Sequence, residues 1–150
     1  MIKKGQVSTE YLIILAVVLV IALVVVFLIS SSGGGANAAL ETQSKNAWAG
    51  AAPFSVTSYS ASGTALTATM KNNDISALTI TAITGNELTT FATSTAFNPG
   101  EEKSIAITLS SACGSSGSKF TLHNITITYT KGSASGLKQL GPRDLVGTCG

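Results

Sequence analysis

Few residues of this chain combine type and spacing in a way that could do chemistry. The single histidine, His123, has no Ser, Asp or Cys at a catalytic spacing and reads as a surface or packed side chain. Asp74, after Asn72-Asn73, and Glu101-Glu102, after Pro99-Gly100, could attract a cation. They lack the ligand spacing of a calcium loop and read as solvated turns. Cys113 and Cys149 are the only cysteines, and with one histidine they cannot make a closed zinc site. Asn124-Ile125-Thr126 is the only N-x-S/T triplet, which makes Asn124 a candidate N-glycosylation acceptor. Glu10 stands directly before a long apolar run, where a carboxylate is costly to desolvate unless it finds a partner. The chain therefore reads as a non-enzyme, with no catalytic residue, no metal and no cofactor.

The elements that must position these residues follow from the distribution of apolar side chains. Tyr11 to Ile29 is an unbroken run of 19 apolar residues without Gly, Pro or an ionised group. As a helix it would span about 28 Å, close to the hydrocarbon thickness of a bilayer. Six of the 19 are Val, a middling helix former in water; a medium without competing hydrogen-bond partners makes helix obligatory for such a run. Lys3 and Lys4 precede the run and no basic residue follows until Lys45, so the N-terminus is expected in the cytoplasm and the remainder outside. Ser30-Ser31-Ser32-Gly33-Gly34-Gly35 then reads as a hinge or locally melted stretch. Ala36 to Trp48 is again helix-compatible until Gly50 and Pro53, predicting a short second helix or a stalk.

From Phe54 onward the period changes to 2. Phe54/Val56, Leu66/Ala68/Met70, Leu78/Ile80/Ala82 and Ile105/Ile107/Leu109 alternate with Ser, Thr or charge, separated by Ser-Gly, Asn-Asp, Gly-Asn and Pro-Gly turns. Phe120 and Leu122 share one parity and Ile125, Ile127 and Tyr129 the other, which predicts a bulge near His123 and Asn124. The fold class is α+β: a long N-terminal hydrophobic helix followed by an antiparallel, Ig-like β-sandwich head. In a head outside the cell, Cys113 and Cys149 are expected to pair. They would close a loop of about 36 residues, worth roughly 3–4 kcal/mol, and pin the tail from Pro142 to Gly150.

Composition narrows the function classes. Of 150 residues 45% are apolar and 11% charged, with a net charge of +2. That balance argues against disorder and leaves no basic footprint for nucleic acid. Ser and Thr number 19 each and lie mostly after residue 50, as strand-favouring residues that keep an outer surface wet.

The remaining constellation is Lys3-Lys4-Gly5-Gln6-Val7-Ser8-Thr9-Glu10-Tyr11, set directly before the apolar run. It resembles the class III signal peptide of archaeal type IV pilins, in which a short basic leader ends in Gly and the mature chain begins Q-x-S-x-E before a hydrophobic helix. Gln6, Ser8 and Glu10 match that start, and the family's later Leu falls at Ile14. The resemblance implies that a membrane aspartyl prepilin peptidase cuts between Gly5 and Gln6 on the cytoplasmic side. Gly at that place lets the backbone extend without side-chain obstruction, while the lysines hold it at the membrane surface. Loss of Lys3 and Lys4 leaves seven basic residues against seven acidic ones, a neutral balance that favours association. The resemblance further implies that Glu10 pairs with the new α-amino group of a neighbouring subunit's Gln6, setting axial register. Should Gln6 cyclise to a neutral lactam, Glu10 would turn to Ser8, Thr9 or a backbone donor.

The division expected from this reading is a cleaved leader over 1–5, an assembly and membrane helix over 6–32, a hinge and stalk over 33–52, and an extracellular head over 53–150. Leu12, Leu15, Leu19, Leu23 and Phe27 are the expected filament core. The partners are copies of the chain itself, the membrane before assembly, the prepilin peptidase, and the assembly machinery with its membrane platform and ATPase. The precursor would sit in the cytoplasmic membrane, and the mature chain, as a major pilin, in an extracellular adhesion pilus. Rival readings are an archaellin of a swimming filament, a non-polymerising membrane-anchored module for solute or carbohydrate, a plain signal anchor, and a secreted protein cut after Ala36-Asn37-Ala38. The Q-x-S-x-E start leans towards a pilus. An apolar run of 19 residues exceeds the usual secretory h-region, and QVSTE has no role in a secretory signal.

Overall fold

The computed structural model describes the backbone of residues 4–150 and the side chains of residues 9–30 and 37–150. The chain divides into two compact units, Met1–Ala39 and Leu40–Gly150. One helix, α1 (Lys4–Ala49), contributes to both. Secondary structure stays helical through Ser30 to Gly35, where the composition predicts a melted stretch, and the expected second helix is the last part of α1. Each Gly costs only about 1 kcal/mol relative to Ala, and a helix already formed on both flanks needs no new nucleus to continue. Residues 40–49 belong to the unit that holds the strands, where the sequence predicts a stalk. The helix ends at Ala49, Gly50 turns the chain, and a cis Ala52–Pro53 bond leads into the first strand.

The head has nine strands in antiparallel pairs. β1 (Phe54–Ser62), β2 (Ala65–Asn72) and β5 (Glu102–Thr108) make a sheet in the order β1-β2-β5. β3 (Leu78–Thr84), β4 (Thr95–Phe97), β7 (Thr126–Lys131) and β8 (Ala134–Leu140) make a second in the order β4-β3-β7-β8. β6 (Lys119–Leu122) and β9 (Leu145–Thr148) form a separate ribbon. Without that ribbon, seven strands lie three against four in an Ig-like arrangement, with β1-β2-β5 in the places of A-B-E and β3-β7-β8 in those of C-F-G.

The alternation seen in the sequence selects the inward faces, with two shifts. A register shift between Val56 and Ser58 moves the inward parity of β1 from Phe54 and Val56 to Tyr59 and Ala61. A second between Ile80 and Ala82 turns Ile83 inward, so Ala82 is only half-buried and is not the core residue that strict alternation predicts. The parity change after Leu122 is not a bulge. β6 ends there, Asn124 turns the chain with a φ of 54°, and β7 begins in a different sheet.

Val56, Leu66, Ala68 and Met70 from one sheet meet Ile80, Ile83 and Ile127 from the other in a single core. Phe54 makes edge contacts with Phe97 and Tyr129, ring centroids 5.4 and 5.6 Å away. Gln139 on β8 stitches the two sheets: its Oε1 accepts from the Phe54 N–H at 2.9 Å and its Nε2 donates to the Phe54 carbonyl at 2.7 Å. Asn72, fully buried, donates from Nδ2 to the Ser76 and Asn98 carbonyls and accepts at Oδ1 from the Asp74 N–H. Buried polar groups that are satisfied in this way fix a unique arrangement rather than destabilise it. Asp74 itself lies in a turn, 2.7 Å from Lys131 Nζ.

Cys113 and Cys149 are joined in a disulfide, Cα atoms 5.9 Å apart. It anchors the end of the tail, which also forms a bridge to Ala61 on β1. Trp48, at the end of α1, is 1% exposed and belongs to the same core. Gly141 lies under its ring: a Cβ there would come 2.6 Å from Trp48 Cζ2, so only Gly fits. Gly141→Ala is expected to cost about 1–3 kcal/mol by overpacking. Urea titration of the detergent-solubilised chain checks this, with the fluorescence of Trp48, the sole tryptophan, as reporter; an unchanged midpoint would contradict the close contact.

Candidate functional site

The first candidate is the apolar stretch of α1. Thr9 to Ser30 is a 22-residue segment long and apolar enough to cross a membrane, about 33 Å as a helix. None of it is buried in the chain's own fold. Its large apolar side chains range from 43% exposed at Leu15 to 71% at Phe27. Leu12, Leu15, Leu19, Leu23 and Phe27, spaced at three or four residues, are exposed, and so are the apolar residues on every other face. A helix that is hydrophobic all round requires an apolar surrounding, either lipid or other helices. No one stripe is distinguished by burial, so the apolar residues as a whole make the surface and the five predicted positions are part of it.

Glu10 lies on α1 within that segment, directly before the unbroken apolar run that starts at Tyr11, and is exposed. Among the described residues no salt bridge includes it. Gln6 and Ser8 have side chains outside the described residues; the backbone of Gly5, Gln6 and Ser8 is helical.

A second set of polar side chains, missed in the sequence, fastens residues 41–48 within the head unit. Glu41 receives Lys45 Nζ at 2.8 Å, Lys119 Nζ at 3.1 Å and the Thr148 hydroxyl at 3.1 Å. These donors, the lysines first, hold the Glu41 carboxyl at about 2, well below the usual range. Ser44 donates to the Asp144 carbonyl at 2.8 Å and accepts from the Val146 N–H at 3.1 Å. Trp48 Nε1 donates to the Arg143 carbonyl at 3.0 Å, and Arg143 reaches back to Gln43. Glu41, Ser44 and Trp48 fall at i, i+3 and i+7, one face of a helix. Their partners in β9 and the residues just before it lie about 100 positions away, a distance over which the sequence carries no periodic signal.

His123 is exposed and pairs with Glu87, Nδ1 to Oε1 at 2.7 Å, while its own N–H donates to Glu87 Oε2. The hydrogen bond to Glu87 raises the imidazole pKa. That pair ties two loops, and on the other side of the ring Nε2 lies 3.7 Å from Asp144 Oδ2.

The Glu41 network has a definite pH signature. A carboxyl depressed in the folded state stabilises it above the unfolded value near 4.5, and that stabilisation is lost as pH falls towards 2. At neutral pH its exposed lysine partners limit it to about 1 kcal/mol. Thermal melts of the chain and of Glu41→Gln should therefore differ at pH 7 and converge near pH 2, with a smaller gap in high salt. A gap that persists undiminished at pH 2 would show that the network does not act through the ionised carboxylate.

Residues 3–29 match the family model described as Class III signal peptide. No curated protein and no solved structure matches the chain. The match covers the basic residues, the Q-x-S-x-E start and the apolar run together, and does not extend into the β head. Over residues 3–29 the chain is therefore similar to class III signal peptides.

Proposed function

We propose that this protein is the major structural subunit of an archaeal type IV adhesion pilus and that its N-terminal helix is first a membrane store and then the filament core. The observation that carries this reading is the 22-residue apolar segment without a buried face, which the signal-peptide match over residues 3–29 almost wholly covers. In the bilayer lipid covers that surface. In a filament, identical helices cover it, and since both surroundings are apolar the exchange costs little hydrophobic free energy. Subunits related by a rotation that does not close make a helical polymer.

Cleavage between Gly5 and Gln6 supports assembly in two ways. It removes Lys3 and Lys4, which tether the precursor to the cytoplasmic face, and it creates an α-amino group at Gln6. That amine is the partner Glu10 needs as it leaves water, so the pair forms between subunits and sets their axial stagger. The disulfide and the sandwich head serve the outside, where the filament attaches to surfaces. The Q-x-S-x-E start favours this reading over an archaellin.

Intact mass and N-terminal analysis of fibres sheared from cells test the proposal. A chain that begins at Gln6 is the expected subunit, with the free α-amino group that the Glu10 pairing requires. A soluble chain beginning at Ala39 would refute it. Glu10→Ala should still be cleaved, but its fibre yield should fall at least about tenfold, equivalent to ~1.4 kcal/mol of lost pairing. Normal yield would remove Glu10 from the register mechanism.

A further inference from the structure

We propose that Asn124 is an attachment site for an N-linked glycan on the head. The triplet Asn124-Ile125-Thr126 spans the turn between β6 and β7, and its three residues lie in three different environments. Asn124 is exposed, Ile125 is buried in the core, and Thr126 is half-buried at the first position of β7. The backbone is held on both sides of the acceptor. The carbonyl of His123 accepts from the Asn86 N–H at 3.1 Å, and the carbonyl of Ile125 accepts from the Gly141 N–H at 2.8 Å. The acceptor amide is thus presented to solvent by a fixed turn.

The left-handed φ of 54° explains an Asn at position 124, since Asn is among the few residues at ease there. It does not require a Thr two residues later. A separate observation bears on what covers this region. Across the β7–β8 ladder, Thr126 is paired with Leu140, which is 72% exposed at the end of an edge strand. A large aliphatic side chain left open beside a sequon is a surface that a sugar ring can shield, and a bulky polar group also blunts an open sheet edge.

The covalent step needs a glycosyl donor activated as a phosphate ester on a membrane lipid, together with a transferase. Asn124 Nδ2 attacks the anomeric carbon and the N–C bond forms as the C–O bond to phosphate breaks. The amide proton passes to a base of the transferase, and the lipid phosphate leaves with the bonding pair. No oxidant or reductant is consumed. The proposal rests on the reading that the head lies outside the cell, and it does not require polymerisation.

Protein sheared from producing cells and protein extracted from their membranes are digested separately with trypsin. Cleavage after Lys119 and Lys131 releases residues 120–131, which contain the sequon. That peptide is expected to carry added mass in hexose or N-acetylhexosamine increments, located on Asn124 by fragmentation. Asn124→Asp, which tolerates the same backbone conformation, and Thr126→Val should each abolish the added mass, while Thr126→Ser should keep it. An unmodified peptide in both fractions, or added mass that survives Asn124→Asp, overturns the proposal. Failure of the filament reading would show separately, as absence of the chain from the sheared fraction.

Discussion

The rest of this structure depends on one constraint: a run of 19 apolar residues forms a helix with no buried face in its own fold. At about 25 cal/mol per Å2, leaving such a surface in water would cost far more than the stability of an ordinary domain. It must be covered, and the chain does not cover it. Bilayer and bundle are both solutions, and their closeness in free energy is what the proposed passage from one to the other requires. Directional contacts must then supply what apolar contact lacks, namely register. The proposed Glu10–amine pair is one such contact: as water is excluded, any stagger that leaves either charge unpaired is heavily penalised.

The head follows a different logic. Its core is fixed by interdigitation of two sheets and by a few satisfied polar cross-links, among them Gln139 to Phe54 and Asn72 to the carbonyls of Phe97 and Asn98. Residues 41–48 join this unit through a buried indole, a serine that both donates and accepts, and a carboxylate with three donors. Arg143 and Asp144 just before the short tail strand, Val146 and Thr148 on it, and Lys119 on its ribbon partner β6 supply the contacts, and the disulfide anchors the end of that strand. A covalent link near the end of the chain thereby reinforces the polar contacts of the helix end, at roughly 3–4 kcal/mol for a loop of about 36 residues.

What was legible in the sequence was whatever depends on composition or on short periods. Tyr11 to Ile29 is readable because a solvent requirement needs no partner to be identified, and the pairing of Cys113 with Cys149 because two cysteines allow one connectivity. Period-2 alternation revealed β2 and β5 well. It misled in β3, where a register shift puts Ile83 rather than Ala82 inside, and at residues 120–129, where a change of sheet imitates a bulge. Trp48 read as a stalk residue because its partners, Arg143 and Gly141, lie more than 90 positions away. The Ser/Gly stretch read as a break because propensity counts each residue alone, whereas a helix already running through its neighbours continues at small cost.

Whether the apolar helix trades lipid for copies of itself is tested most directly by cryo-electron microscopy of fibres released from cells. The account predicts helical density for residues 11–29 at the fibre centre, with neighbouring helix axes about 8–10 Å apart. Single molecules whose helices are each surrounded by bilayer in the working state, with no helix-to-helix contact, would contradict it.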